Sequence, residues 1–149
     1  MEKEKSPLKV VDIAQPALHN KLPLPAFLSG VQAGFPSPAD DHMENHLDIN
    51  ELVINHPAAT FFVRVEGESM QDANIHTGDI LVVDRSVEAG SGKVVVAIIN
   101  GEFTVKRLVI NQSGTFLVPD NPKFSSIQID PESDFQVWGV VTYVIHKAQ

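Results

Sequence analysis

A chain of 149 residues with 43% hydrophobic content suits one folded domain plus a tail. Its net charge of −8 and pI of about 5.1 argue against a protein that binds nucleic acid by neutralising phosphates with Lys and Arg. Cys is absent, which excludes disulfides, a thiol nucleophile and cysteine-held zinc, and fits a cytoplasmic protein.

Residues 1–33 carry Pro7, Pro16, Pro23 and Pro25 and no sustained period, so they read as an extended arm. Within it, Val10-Val11-Asp12-Ile13 has the character of a short strand. The first seven residues lack the apolar core of a signal peptide. The longest apolar runs, such as Val94–Ile99, are far too short to cross a membrane. Ser37-Pro38-Ala39-Asp40-Asp41 is a helix start: Ser37 caps, Pro38 suits the first helical position, and the acids favour the positive helix end. A short helix to about His46 follows, and Asn50–Ile54 is a further helical turn closed by His56-Pro57. From Asp40 to Glu51 there are five acids and no base, the pattern of a solvated surface.

From Thr60 the pattern turns to β. Thr60–Val65, Ile80–Asp84, Lys93–Ile99, Glu102–Ile110, Thr115–Val118 and Phe135–His146 are rich in β-branched and aromatic residues. Asn100-Gly101 is a two-residue hairpin signal. Thr77-Gly78-Asp79, Ala89-Gly90-Ser91-Gly92 and Gln112-Ser113-Gly114 are turns. Closely spaced strands with few helices predict a compact, strongly bent β fold.

Two residues stand out chemically. Ser69 follows a strand pattern in Val65-Glu66-Gly67-Glu68-Ser69-Met70, where Gly67 lets the chain turn and backbone N–H groups can bind an oxyanion. Lys106 lies in a second strand pattern and shares a face with Thr104, Leu108 and Ile110. Burial there would favour its neutral form, and a neutral lysine can take a serine's proton. Arg107 beside it reads as a solvent charge. Taken singly, each motif is short enough to arise by chance. Ala33-Gly34 is a small dipeptide between the arm and everything that looks folded.

The histidines are less informative. His42 and His46, four apart, have metal-ligand spacing, but Met43 stands where a metalloprotease helix needs Glu. They read as a surface pair, and no metal or other cofactor is expected. His19, His56, His76 and His146 are isolated. Asp79 and Asp84 flank a strand as turn residues.

Six stretches in order carry a resemblance over most of the chain. They are Ala33-Gly34-Phe35-Pro36-Ser37-Pro38, His56-Pro57-Ala58-Ala59-Thr60-Phe61-Phe62-Val63, Gly67-Glu68-Ser69-Met70, Gly78-Asp79-Ile80-Leu81-Val82-Val83-Asp84, Gly101-Glu102-Phe103-Thr104-Val105-Lys106 and Phe135-Gln136-Val137-Trp138-Gly139-Val140-Val141. From about Gly34 to His146 the chain resembles the UmuD family of self-processed mutagenesis subunits, relatives of the LexA repressor's peptidase domain. The resemblance implies a mostly β fold of the LexA/UmuD peptidase type, with one or two short helices and an extended N-terminal arm. It divides the chain into an arm, 1–33, removed by self-cleavage, and a serine–lysine peptidase domain, 34–149.

The resemblance also implies roles. Ser69 is the nucleophile, Lys106 the general base, and Ala33-Gly34 the bond that is cut. The backbone N–H groups of Glu68 and Ser69 hold the oxyanion; Glu68 departs from the Asp or Met familiar at its position. Implied partners are a second copy in a homodimer, the RecA filament on single-stranded DNA that stimulates cleavage, and a UmuC-type translesion polymerase in the SOS response. Direct sequence-specific DNA binding and a membrane are not expected. A LexA-type repressor would need a helix-turn-helix module of roughly sixty residues before the cut, and only the proline-broken arm stands there. A non-catalytic dimeric interaction subunit is the other alternative. A signal peptidase would need a membrane anchor.

Overall fold

The computed structural model describes residues 6–17, 23–25 and 46–148. Among these, 6–16 and 56–148 form one compact unit, and 17, 23–25 and 46–55 belong to a second. The expected helix over 37–45, the Ala33-Gly34 bond, His19 and His42 lie outside the described residues; at His46, where that helix was to end, the chain is instead a strand residue, paired with Pro25.

The first unit is one antiparallel sheet. Its strands are β1 (Lys9–Ala14), then, after two short strands of the second unit, β4 (Thr60–Glu66), β5 (Ile80–Asp84), β6 (Val94–Ile99), β7 (Glu102–Asn111), β8 (Gly114–Val118), β9 (Ile127–Ile129) and β10 (Phe135–Ile145). They are hydrogen-bonded in the order β1-β4-β5-β10-β6-β7-β8-β9. Edge strand β1 comes back against β7, so the sheet is curled. Three register shifts, at Val10/Asp12, Val137/Gly139 and Val141/Tyr143, supply the bends that a curled sheet needs.

Burial on both faces follows the two-residue alternation of strands. On β6, Val96 joins a core with Val63, Val65, Met70, Ile75, Leu81, Val83 and Val105, while Val95 and Ala97 join another with Leu108, Leu117 and Val140. The hairpin between β6 and β7 turns on Asn100 at φ 50° and Gly101 at φ 81°, the two positive angles of the type I′ turn that such a dipeptide favours.

The second unit pairs β2 (Pro23–Pro25) with β3 (His46–Asp48), followed by helix α1 (Ile49–Val53). Asp48 caps α1 by accepting from the Asn50 N–H at 2.9 Å. The mostly β architecture of the described residues, with one short α-helix among them, matches the sequence expectation. β9 is an addition: three residues that become a strand by pairing with the edge of β8.

Candidate active site

Ser69 lies just beyond the end of β4. Gly67 takes φ +123°, a left-handed angle that glycine adopts without strain, and so turns the chain out of the strand. Met70 then inserts fully into the core, and a short 3-10 turn, Gln71–Ala73, closes the loop. Ser69 itself is wholly buried.

A second loop backs this turn. The buried Asn121 side chain donates from Nδ2 to the Glu68 carbonyl at 2.8 Å and accepts from the Lys123 N–H at 3.0 Å. The Asp120 carbonyl accepts from the Asp72 N–H at 2.8 Å, and the Asp120 N–H points to Met70 Sδ at 3.2 Å. Arg107 Nε donates to both carboxylate oxygens of Asp120, at 3.0 and 3.1 Å, and Nη1 donates to the Gly92 carbonyl at 2.6 Å. Arg107 is therefore a clamp between β7 and the backing loop, not the free solvent charge its sequence position suggested.

Strand β7 delivers Lys106, which is only 5% exposed, to the buried serine. Its Nζ reaches Ser69 Oγ at 3.3 Å, Thr104 Oγ1 at 2.9 Å and the Val105 carbonyl at 3.3 Å. Burial lowers the ammonium's pKa from 10.5 to about 8, because water no longer solvates the charge. Three acceptors match the three protons of an ammonium. Once neutral, Nζ keeps two N–H groups for Thr104 and Val105 and turns its lone pair toward Ser69. That geometry can move a proton from Oγ to Nζ. The sequence placed Thr104 on the lysine's face, but nothing in it showed that the hydroxyl would hold the amine.

The Glu68 N–H donates to the Ser6 carbonyl at 2.8 Å, and Ser69 Oγ accepts from the Leu8 N–H at 2.8 Å. Among the described residues, the histidines read as isolated have partners: His56 Nδ1 meets Asp84 Oδ2 at 2.6 Å, His146 Nδ1 meets Asp79 Oδ1 at 2.6 Å, and His76 Nε2 meets Asn74 Oδ1 at 2.9 Å. Both carboxylates are buried turn anchors. Asp84 also accepts from the N–H of Ser86 and Asp79 from the N–H of His76. Burial raises the Asp84 pKa, but hydrogen bonds from Ser86 and His56 outweigh it and leave the value lowered. Among the described residues no cluster of three acidic or histidine side chains is placed to hold a metal, and no helix is long and apolar enough to cross a membrane.

The chain belongs to the peptidase S24-like family, whose family model matches residues 25–142. Within that class its relatives are UmuD-like mutagenesis proteins. It is 47% identical over 121 residues to Protein MucA of Escherichia coli, covering 80% of this chain and 82% of MucA. It is 45% identical over 137 residues to Protein ImpA of Shigella flexneri, covering 91% and 92%. The LexA repressor of Xylella fastidiosa is 40% identical over 135 residues, covering 89% of this chain and 63% of the repressor. The resemblance drawn from the six motifs therefore holds.

Proposed function

We propose that this chain cuts its own backbone between Ala33 and Gly34, with Ser69 as nucleophile and Lys106 as general base. The observation that carries this reading is the buried Ser69–Lys106 pair at 3.3 Å, with burial lowering the lysine pKa to about 8. Neutral Lys106 takes the Ser69 proton as Oγ bonds to the Ala33 carbonyl carbon. Backbone N–H groups of Glu68 and Ser69 hold the developing oxyanion. The Ala33–Gly34 bond breaks, and Lys106 returns the proton to the Gly34 amine. Water then releases the acyl group. The event is a single turnover, because the substrate belongs to the same protein.

The shortened form, 34–149, then serves in the cytoplasm as accessory subunit of a UmuC-type translesion polymerase in SOS mutagenesis. It works as a homodimer, after a RecA filament on single-stranded DNA has favoured the cleavable pose. The matches cover 82% of MucA and 92% of ImpA but 63% of the LexA repressor, which supports this over a repressor reading.

The test is mass spectrometry of the protein incubated with RecA, single-stranded DNA and ATP, beside Ser69→Ala. A fragment beginning at Gly34, absent from the variant, is expected. An intact chain in both samples, while LexA repressor is cut in the same mixture, would overturn the proposal and leave an interaction subunit.

A further inference from the structure

The groups that would handle a substrate are already engaged by the chain's own residues 6–8. Ser6 places its carbonyl on the Glu68 N–H at 2.8 Å, and Leu8 donates its N–H to Ser69 Oγ at 2.8 Å. Between them, Pro7 crosses Gly67 so closely that a Cβ at position 67 would lie 2.1 Å from the Pro7 carbonyl oxygen. Leu8 is 1% exposed and packs in the core with Val65, Met70 and Ile75.

Beyond Leu8 the segment becomes β1 and completes the edge of β4. The register sets Lys9 opposite Glu66 and Asp12 opposite Arg64, two opposite-charge pairs, with Val10 opposite Val65 and Ile13 opposite Val63. Backbone pairing, a buried aliphatic anchor and charge complementarity are the elements of strand-addition peptide recognition.

We infer that the cleft over Gly67–Ser69, continued by the edge of β4, is a docking site for an extended peptide with a buried aliphatic anchor, and that residues 6–14 are its resident ligand. The resident is held unreactive. Attack needs a carbonyl carbon in front of Ser69 Oγ; here an N–H of the resident takes an Oγ lone pair. The Glu68 N–H is likewise saturated by a carbonyl. Resting on the function proposed above, the consequence is competition: Ala33-Gly34 enters only when residues 6–8 leave. Self-cleavage then proceeds in proportion to the fraction of time the cleft is empty.

Two variants of the full chain weaken the resident. Leu8→Asp puts an unpaired charge in a buried position. Lys9→Glu combined with Asp12→Arg places like charges opposite Glu66 and Arg64 and touches only exposed residues. In a Lys106→Ala background, which keeps the chain uncut, amide exchange at Glu68 reads occupancy directly. Exchange is expected to be slow in the parent and at least about tenfold faster with Leu8→Asp. A synthetic peptide of residues 1–14 restores the protection, and one carrying the charge swap does not.

With Lys106 present, both variants are expected to self-cleave faster than the parent at pH 8 without an activator, and the added peptide to slow them. Fast Glu68 exchange in the parent, or no response to the peptide, overturns the docking site even if cleavage occurs. If protection follows the peptide while no variant is ever cut, the docking site stands and the peptidase reading falls. If Leu8→Asp does not fold, the charge swap decides.

Discussion

Thr104 Oγ1 accepts from Lys106 Nζ at 2.9 Å, closer than the 3.3 Å between Lys106 and Ser69. The two residues are one strand repeat apart on β7, so the hydroxyl and the amine rise from the same face. A neutral lysine has one lone pair, and its use depends on where the two remaining protons are held. Thr104 takes one and the Val105 carbonyl the other, which leaves the lone pair for Ser69. Thr104→Val is therefore expected to slow self-cleavage about tenfold at fixed pH, the scale of a displaced general base, while Thr104→Ser keeps most of the rate. The Val variant should also shift the pH midpoint. Equal rates in Val and parent, read from fragment accumulation on gels, would deny Thr104 a positioning role.

The pH dependence follows from the Lys106 pKa of about 8. At pH 7 about a tenth of the molecules carry the neutral amine. The self-cleavage rate should rise about tenfold per pH unit below that value and level off above it. Stability moves the same way. The folded pKa lies below the ordinary 10.5, so the unfolded chain binds more protons between about 8 and 10.5, and folding is favoured as pH rises through that window. Faster alkaline cleavage would thus not report loosening around this lysine. Lys106→Met should remain uncut at every pH and should lose this window of pH-dependent stability in urea titrations.

The strands were legible because β-branched runs end at Gly and Asn turns, and Asn100-Gly101 folds as its turn chemistry requires. Ile127-Gln128-Ile129 was not legible: three residues between Ser126 and Asp130 carry no run, and the edge of β8 makes them a strand. Residue types and motif context picked out Ser69 and Lys106, although only the folded sheet brings them together across 37 residues. Arg107 and Asn121 were missed because each is defined by a partner, 13 and 53 residues away, that local pattern does not reveal. Leu8 was hidden by its neighbours. Prolines marked the arm as irregular, and Leu8, deeply buried among the arm's described residues, looks like any other leucine in a loop.

Asn121 joins the backing loop to the serine turn through two hydrogen bonds at a 6% exposed site. Asn121→Ala removes both and leaves the Glu68 carbonyl without its side-chain donor. A cost of about 1–3 kcal/mol in urea unfolding is expected from the two lost hydrogen bonds, the Glu68 carbonyl keeping its bond from the Gln71 N–H at 3.2 Å. Self-cleavage should fall as well, because the carbonyl next to Ser69 loses its side-chain anchor. Asn121→Asp keeps the bond to Lys123 but sets an oxygen against the Glu68 carbonyl, so it should fare no better. A variant that unfolds like the parent and cuts at full rate would mean that the turn is held from elsewhere.

Gly139 shows how tightly the sheet closes at its bulge. A Cβ added there would sit 2.5 Å from Val83 Cγ1 and 3.3 Å from Arg85 Cγ, and Val83 is fully buried in the core that holds Met70. The neighbouring Trp138 is pinned by Arg85, whose Nε donates to the Trp138 carbonyl at 2.8 Å and whose guanidinium lies 4.7 Å from the ring centroid. Gly139→Ala must therefore push β10 away from β5 or force Val83 from its rotamer. A loss of about 1–3 kcal/mol is expected, the usual cost of overpacking, read from Trp138 fluorescence in urea. Val83→Ala alone leaves a cavity and also destabilises. Combined with Gly139→Ala it makes room for the new methyl, so the pair should lose less than the sum of the two single losses. Strict additivity would show that the clash is relieved by the backbone and not borne by Val83.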